Sequence, residues 1–528
     1  MRIWKKVMSI VAVAAMAVTM MAASGSTAWA EETGTHTITI EKKEGSQDKH
    51  TYSAYQIFAG TYDKGSNKLS NIKWGSGVDG EELLAALTAD SSPLKDSFTN
   101  VTTAEAVANV LTDFSNDSAQ IDAFARVAGQ HLKTDAGHAM GDDRRITDLA
   151  DGYYLIKDIS EGLTSDTASK FMVQVVGGDV TVKEKNETTT SQKKVKEKND
   201  TNGEESDWQD AADYDIEDEV PFQLTGTVAA DYDQYSTYYF AFHDKQSAGL
   251  DAPDPKDITV KVDEKELSSD KYEVVTSTSD LSDDCTFEIR FSNLKDITDV
   301  KAGTVITVEY TAKLNKDAVI GSEGNPNKSH IEFSNNPYDK EKHGQTPDDT
   351  VIVFTYETIV NKVNEKNEPL AGAGFTLYKK MADNDPGNPY SVVKTFTAND
   401  TTTSFDFKGL DAGDYKLSET TTPAGYNTIS DVEFTIKAEY EVDSAAPKFK
   451  TLMGESSSDT ELTVALGTQQ ATVDPQAGTI TTDIVNKSGS ILPSTGGIGA
   501  KRVIGAGAVL FAAGMALMFI RKKISGRN

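Results

Sequence analysis

Most of the chain alternates between apolar and polar residues with the two-residue period of half-buried β-strands. The alternation begins with HTITIE at His36 and TYSAYQIFAGTY after it, and it returns in Gly152 to Asp158 and Lys170 to Val182. Between these stretches, Glu81 to Leu87 and Ala104 to Leu132 place apolar residues at helical spacing. The pattern predicts a mainly β domain over residues 31–187 with a helical insertion.

The remainder of the chain consists of short alternating segments separated by turn residues. Residues 188–348 include VPFQLTGTV, TYYFAFHD, TVITVEYTAKL and SHIEFS, and residues 349–490 repeat the pattern with GFTLYKK, GDYKLSE and TITTDIVNK. Many short strands at this spacing are typical of antiparallel sandwiches. We therefore expect a mainly β protein of tandem Ig-like β-sandwich domains in a rod. The polar segment from Lys183 to Asp200 has the composition of a linker.

Both ends of the chain carry targeting signals. Three basic residues precede an apolar run from Val7 to Ala23, and Ala28-Trp29-Ala30 follows with small residues at the cleavage positions. Residues 1–30 are therefore predicted to be a signal peptide. At the other end, an apolar run from Val503 to Ile520 is followed by Arg521-Lys522-Lys523, which predicts a membrane span with its basic end in the cytoplasm.

Composition narrows the range of functions. The net charge of −30 disfavours binding to nucleic acid, and the single Cys285 excludes an intrachain disulfide. The seven histidines are scattered without an HExxH motif, and no Cys/His or Ser/His constellation marks a catalytic cleft. We expect no metal site, no cofactor and no enzyme that turns over substrates.

A short motif precedes the apolar C-terminal run. Leu492-Pro493-Ser494-Thr495-Gly496, the apolar run and the basic tail, within residues 491–528, together resemble the cell-wall sorting signal of Gram-positive surface proteins. The resemblance implies that sortase cleaves between Thr495 and Gly496 and passes the Thr495 carbonyl to an amine. The processed chain would then be a secreted protein anchored to peptidoglycan, with only transient attachment to the membrane.

The third block carries the densest motif. The segment from Tyr415 to Tyr426 resembles the E-box, YxLxETxAPxGY, of Cna-B-type domains, with Thr422 where Ala is usual. In that family a lysine on the first strand bonds to an asparagine on the last strand with help from the E-box glutamate. The resemblance implies Lys362, Asn486 and Glu419 for these roles. Strand alternation places each of them on the same face as an apolar neighbour, which predicts burial.

The middle block contains a second signature of this kind. FHDKQSAGLD resembles the xDxLxxGL signature of Cna-A-like pilin domains, which implies Asp244 as the catalytic carboxylate. The lysine would be Lys193 or Lys194, and alternation before Val195 favours Lys193. The family pattern NxAxVxY implies Asn327 as the asparagine. Asn335, on the same strand face, remains the alternative.

A third motif lies between the first and second blocks. Val180 to Asn186 partly resembles the pilin motif VxVYPKN, in which the lysine amine accepts the sortase-bound threonine of another subunit. The resemblance implies Lys185 as the acceptor, with Lys183 as the alternative. A further isopeptide bond involving Asn186 in the first domain has no assignable lysine.

Together these features resemble the major subunit of a sortase-assembled pilus with Cna-A-like and Cna-B-type domains. The resemblance implies a structural shaft subunit, joined from Thr495 to Lys185 of an identical subunit, that supports adhesion. The implied partners are pilin-specific and housekeeping sortases, minor tip and base pilins, peptidoglycan, and a host receptor or matrix ligand. The alternative is a monomeric wall-anchored adhesin, which would not need Lys185.

Overall fold

The computed structural model describes residues 36–444, 447–450 and 471–489, which form three β-rich units in chain order. Each unit has two sheets that enclose apolar side chains, and the first also has three helices. The prediction of a mainly β, tandem-sandwich protein with a helical insertion is confirmed. None of the described helices has the length and apolarity of a membrane span.

The first unit pairs a three-stranded sheet with a larger sheet that carries the helices. The sheets have the strand orders β5-β1-β8 and β3-β2-β6-β7, with β4 on β2. The strands are β1 His36–Glu41, β2 Tyr52–Asp63, β3 Lys68–Trp74, β4 His138–Ala139, β5 Arg145–Leu149, β6 Gly152–Asp158, β7 Met172–Val176 and β8 Val180–Lys183, and the helices are α1 Gly80–Thr88, α2 Ala104–Leu111 and α3 Ala119–Gly129.

The helical stretch from Ala104 to Leu132 is divided into two helices. Each begins at a side-chain cap, since Thr103 accepts from the backbone N–H of Ala106 and Ser118 from that of Ile121. Such caps satisfy amide groups that a helix start leaves unpaired. The stretch predicted to have helical spacing therefore forms two helices, because a second cap starts a new helix after Ser118.

The second unit consists of two sheets. One has the strand order β10-β20-β18-β12-β16-β15, with β19 paired to β18, and the other has the order β14-β13-β17-β11-β9. Phenylalanine and tyrosine side chains fill the space between the sheets. The strands are β9 Thr190–Val195, β10 Ala211–Asp213, β11 Glu219–Thr227, β12 Phe240–Gln246, β13 Thr259–Val262, β14 Lys265–Glu266, β15 Glu273–Val275, β16 Phe287–Phe291, β17 Val305–Lys313, β18 Asn325–Ser334, β19 His343–Gln345 and β20 Asp349–Phe354.

Two sequence expectations change here. The polar segment predicted as a linker contains β9, which pairs with β11 at the edge of a sheet. An edge strand tolerates polar residues because only one of its sides is paired and part of its surface meets water. β20 follows the expected boundary at residue 348 but pairs with β18 and β10, so we place the end of the second unit after Phe354.

The third unit packs the sheet β24-β21-β28-β27 against the sheet β23-β22-β25-β26. Its first strand, β21, and its last described strand, β28, are parallel neighbours. The strands are β21 Tyr356–Asn364, β22 Gly374–Lys380, β23 Tyr390–Phe396, β24 Ser404–Leu410, β25 Gly413–Thr421, β26 Val432–Ile436, β27 Ala471–Asp474 and β28 Thr479–Asn486.

Candidate crosslinking sites

A polar cluster lies inside the second unit, where three strands and an edge strand meet. Lys193, Asp244 and Asn327 are fully buried, and the Tyr310 side chain lies among them. Lys193 Nζ is 2.5 Å from Asp244 Oδ2 and 3.0 Å from the Tyr310 hydroxyl, which donates to the same carboxylate oxygen at 2.7 Å. Asn327 Nδ2 donates to the Tyr310 hydroxyl at 2.9 Å.

Strand alternation explains how these side chains meet. Lys193 lies on β9 with the buried Val195 two residues later, and Asp244 lies on β12 two residues after the buried Phe242. Asn327, on β18, precedes other inward residues of that strand at the same period. Because β9 belongs to one sheet and β18 to the other, a bond between Lys193 and Asn327 would join the two sheets.

Burial controls the protonation of this cluster. Removal from water is the largest influence on both ionisable groups: it lowers the pKa of the Lys193 ammonium despite the Asp244 charge, and it raises the pKa of Asp244 despite Lys193. The ring centroids of Phe222 and Tyr310 lie 5.4 and 5.5 Å from Lys193 Nζ. Both directions favour a neutral amine beside a neutral acid, the state in which an amine can act as a nucleophile.

The candidates that the sequence left as alternatives lie in different places. Lys194 points away from the cluster and pairs with Asp210. Asn335 is buried, but its side-chain amide donates to the carbonyl of Leu163 in the first unit, 3.1 Å away. Lys193 and Asn327 are therefore the pair of candidates that share hydrogen-bond partners within one cluster.

Tyr310 is a site residue that the sequence analysis did not identify. It lies on β17, and its hydroxyl contacts all three of the other polar side chains. The alternation in VITVEY places this residue on the inward face, which gives a signal for burial. Nothing in the sequence marks the hydroxyl as a bridge, because a buried tyrosine is as compatible with a simple aromatic core.

The third unit contains a second buried lysine, carboxylate and asparagine. Lys362 and Asn486 are fully buried, and Glu419 is nearly so. Asn486 Nδ2 donates to Glu419 Oε1 at 2.8 Å, and Lys362 Nζ donates to the carbonyl of Ile484 at 2.7 Å. The Asn486 side-chain oxygen accepts no hydrogen bond within the described residues.

Pairing of the terminal strands brings the lysine and the asparagine together. In the parallel register of β21 and β28, Lys362 is opposite Ile484 and Asn364 is opposite Asn486. Lys362 and Asn486 are thus separated by one side-chain repeat along neighbouring strands. Glu419 approaches from β25, in the facing sheet. A bond between Lys362 and Asn486 would therefore lie within one sheet, whereas the corresponding bond in the second unit would link two.

The Glu419 carboxylate is held by groups around the E-box turn. Its Oε2 accepts from the backbone N–H of Ile429 at 3.1 Å and from the Thr422 hydroxyl at 3.4 Å. Thr422, the departure from the usual alanine, thus adds a weak hydrogen bond to this carboxylate. These contacts leave Oε1 directed at Asn486.

Burial also prepares the lysine of this cluster. Loss of hydration lowers the pKa of Lys362 to about 8, although the Glu419 charge acts in the opposite direction. A substantial fraction of this amine is therefore neutral near pH 8. The same lysine in water would hold its proton up to about pH 10.

Lys183 is the last residue of β8 and Lys185 lies two residues beyond it, and the environments of the two side chains differ. The Lys185 side chain is 41% exposed and pairs with Asp117 in the turn between α2 and α3. The Lys183 side chain is 72% exposed, with Glu41 3.9 Å away. Both amines are accessible, and Lys185 lies beside the helical insertion.

The Asn186 side chain is buried, and no lysine among the described residues forms a hydrogen bond with its amide. Its Nδ2 lies 3.3 Å from His50 Nε2, and its side-chain oxygen has no hydrogen bond among the described residues. The Lys43 ammonium reaches the backbone carbonyl of Asn186 and the Glu187 carboxylate instead. The side chain that lies beside the Asn186 amide is therefore a histidine.

The predicted signal peptide at residues 1–30, the sorting motif from Leu492 to Gly496 with Thr495, and the apolar run from Val503 to Ile520 lie outside the described residues. Of the predicted sites, the described residues include those of the internal crosslinks and the two acceptor lysines.

Comparison with known proteins gives similarities at three levels. Residues 357–447 match the family described as the SpaA prealbumin-like fold domain. The chain is 31% identical over 148 residues to the trypsin-resistant surface T6 protein of Streptococcus pyogenes serotype M6, a match that covers 26% of each chain. The alignment thus spans about a quarter of the length of this curated relative.

The fold is similar to that of a solved pilin. The structure of the T6 backbone pilin of serotype M6 Streptococcus pyogenes, described as a modular three-domain structure, matches with a TM-score of 0.51 at 17% identity, over 87% of this chain and 99% of that one. The full-length major pilin SpaD from Corynebacterium diphtheriae matches with a TM-score of 0.46 at 14% identity, over 87% and 98%. This chain therefore shares the fold of the T6 backbone pilin.

Proposed function

We propose that this protein is the structural shaft subunit of a covalently polymerised surface pilus. The observation that carries the proposal is the presence of two buried lysine, carboxylate and asparagine clusters, one in each of two consecutive sandwich units. Three buried polar groups without a chemical role would weaken a core, since each costs free energy when it leaves water. Their recurrence in a chain with a pilin fold supports a role in crosslinking.

In the second unit, the neutral Lys193 amine attacks the side-chain carbonyl carbon of Asn327. A bond forms between Lys193 Nζ and Asn327 Cγ, the bond from Cγ to Nδ2 breaks, and ammonia leaves. Asp244 in its acid form donates a proton to the carboxamide as charge develops, and it recovers a proton from the attacking nitrogen. The Tyr310 hydroxyl contacts both the carboxylate and the asparagine, so it provides a path between them.

The third unit would undergo the same amide exchange between Lys362 and Asn486. Glu419 accepts a hydrogen bond from the nitrogen that must leave, so it is placed to take a proton from the attacking Lys362 nitrogen and pass it to the leaving nitrogen. The lowered pKa of Lys362 supplies the neutral nucleophile. Each unit performs this reaction once on its own side chains, so the protein is not an enzyme with an external substrate.

Polymerisation would use the two remaining candidate residues. Sortase would cleave after Thr495, and the amine of Lys185 in an identical subunit would attack the resulting acyl-enzyme thioester. The exposed position of Lys185 at the end of the first unit supports this role, and Lys183 is the competing acceptor. A pilin-specific sortase would build the polymer with minor tip and base pilins, and a housekeeping sortase would attach it to peptidoglycan. A host receptor or matrix ligand would be bound by the finished fibre.

Cell-wall extracts test this proposal. Mild release of wall proteins followed by electrophoresis in sodium dodecyl sulfate should give a ladder of high-mass species that contain this chain. Deletion of the pilin-specific sortase should reduce the ladder to one monomer band. A single monomer band in cells with every sortase intact would indicate a wall-anchored adhesin instead.

A further inference from the structure

A second cluster of reactive side chains lies in the middle unit, outside the proposed crosslink. His243 is on β12, Glu288 is on β16, and Asp283 and Cys285 are in the segment that leads into β16. One donor atom from each of these four residues lies within 4.8 Å of the others. The group therefore combines an imidazole, a thiol and two carboxylates, which are the donor types of zinc sites.

The spacing of the donor atoms suits a tetrahedral ion. His243 Nδ1 lies 3.2 Å from Asp283 Oδ2 and 3.7 Å from Glu288 Oε1, and Cys285 Sγ lies 3.8 Å from the same Glu288 oxygen. Tetrahedral ligands that are about 2.0 to 2.3 Å from Zn²⁺ lie about 3.3 to 3.8 Å from one another. These three separations are thus already near the distances that an ion would impose.

His243 provides an independent indication of a ligand. It is 98% buried, yet neither ring nitrogen makes a hydrogen bond among the described residues. The ring nitrogens face the carboxylates of Asp283 and Glu332 at 3.2 and 3.4 Å without the geometry of a hydrogen bond, and a buried imidazole that makes no such bond calls for an explanation. The ring borders a cleft of about 380 Å³ that Asp283 and Cys285 also line, and this cleft gives an ion access from solvent.

We propose that His243, Asp283, Cys285 and Glu288 form a Zn²⁺ site. Surrounding groups already orient one of the ligands: the Ser282 backbone N–H and hydroxyl donate to Glu288 Oε1 at 2.8 and 2.9 Å, and Arg290 donates to Oε2 at 2.5 Å. Such outer contacts fix ligand geometry in metal sites. Binding would release the thiol proton of Cys285, and the dication would offset the charges of the thiolate and the two carboxylates.

The site lies on the opposite face of the sheet from the proposed crosslink. His243 and Asp244 are consecutive on β12, so their side chains project to opposite sides. An ion here would tie β12 to β16 and to the segment before β16 on the outer face, while Lys193 and Asn327 are linked within. No short motif marks this site in the sequence, because its ligands come from two strands and a loop.

Metal titration of the full chain tests the proposal. Freshly reduced protein should bind one equivalent of Zn²⁺, and Co²⁺ in its place should give the visible absorption of a tetrahedral ion with a thiolate-to-cobalt charge-transfer band. Cys285→Ser should abolish the charge-transfer band. Cys285→Ser and Asp283→Asn should each weaken Zn²⁺ binding by more than about 10-fold. His131→Ala provides the control, because this histidine lies in the first unit and pairs with Glu82, and it should bind zinc as the native chain does.

Several results would overturn the site. These are a lack of stoichiometric Zn²⁺ binding by the reduced native protein, an unchanged affinity in Cys285→Ser, or an equal preference for Ca²⁺. Zn²⁺ should also protect Cys285 from alkylation in the native chain, and an alkylation rate that zinc leaves unchanged would count against the proposal. Circular dichroism of each variant separates loss of binding from loss of folding.

Discussion

The side-chain amide of Asn486 donates a hydrogen bond of 2.8 Å to the carboxylate of Glu419, across the two sheets of the third unit. The carboxylate therefore contacts the nitrogen atom that the proposed amide exchange expels. Removal of this contact should stop the reaction without opening the core, since the strands that carry Lys362 and Asn486 remain paired.

We predict that Glu419→Ala yields a folded but uncrosslinked third unit. Each crosslink leaves a chain one ammonia lighter than the mass calculated from its own sequence, so this deficit should be one ammonia smaller in Glu419→Ala than in the native chain. Loss of a closed loop of more than a hundred residues should lower stability by about 4 to 5 kcal/mol on the loop-entropy model. The melting temperature of the unit should then fall by about 10 °C or more. Glu433→Ala, on the exposed face of the neighbouring strand β26, is the control and should keep the ammonia deficit of the native chain. The full native ammonia deficit in Glu419→Ala would transfer the catalytic role to another group.

The second unit allows a direct comparison of two asparagines. Asn327→Ala should retain the Lys193 amine, so the chain loses one ammonia fewer than the native protein does. Asn335→Ala should complete the reaction, because Asn335 contacts Leu163 in the first unit. Peptide mapping by mass spectrometry distinguishes the two, and a Lys193 crosslink that survives Asn327→Ala would refute the assignment.

Tyr310→Phe should slow the second-unit reaction without preventing it. The substitution keeps the aromatic packing but removes the hydroxyl that contacts Asp244, Asn327 and Lys193. Loss of one positioned donor reduces such rates on the order of 100-fold. The rate is measured as the appearance of the mass lower by one ammonia after refolding, with Tyr239→Phe as the control. Equal rates in the two variants would show that the hydroxyl has no part in the reaction.

The acceptor lysine can be identified in cells. Lys185→Ala should leave monomer at the wall and abolish the ladder, because the thioester then has no acceptor amine in the neighbouring subunit. Lys183→Ala should leave the ladder intact. The reverse result would assign the acceptor role to Lys183, which is the more exposed of the two side chains.

The first unit should lose stability in alkaline solution. Burial would lower the pKa of His50, but its hydrogen bonds to Asp158 and Asp166 outweigh burial and raise the pKa to about 9. The unfolded histidine titrates near pH 6.5, so the charged ring contributes its full stabilisation below that pH and loses it as the pH rises through about 9.

The size of this effect is on the order of 2 to 3 kcal/mol. Hydrogen exchange of β2 should therefore accelerate between pH 6.5 and 9.5 after correction for the intrinsic exchange rate. His50→Gln should reduce this pH dependence, and His131→Gln, a partly exposed control, should leave it unchanged. A protection factor for native β2 that stays constant over this range would contradict the prediction.

The sequence predicted the strands and the inward positions well because alternation records burial directly. Lys193, Asp244, Lys362 and Asn486 each lie two residues from an apolar neighbour that is buried in the structure. The same rule could not separate Asn327 from Asn335, because alternation assigns both to one strand face and they differ in the partners that the fold brings to them. Those partners come from β17 and from the first unit, which lie far away in the sequence.

Other errors have the same origin in long-range pairing. β9 is rich in Thr and Lys, so its composition resembles a linker until β11 pairs with it. β20 lies close to β21 in the sequence, and only its hydrogen bonds to β18 and β10 place it in the second unit. The histidine, cysteine and carboxylate cluster around His243 has no local pattern for the same reason.

The parallel pairing of β21 with β28 has a mechanical consequence for a fibre. A pulling force that enters at Tyr356 and leaves after Asn486 acts along two strands that run in the same direction. Such a force loads all the hydrogen bonds between these strands in shear at the same time, so they do not break one after another. A covalent link from Lys362 to Asn486 would carry this load past the chain between residues 363 and 485. The intervening strands would then remain folded under tension, and the unit would extend very little before its backbone itself is stretched.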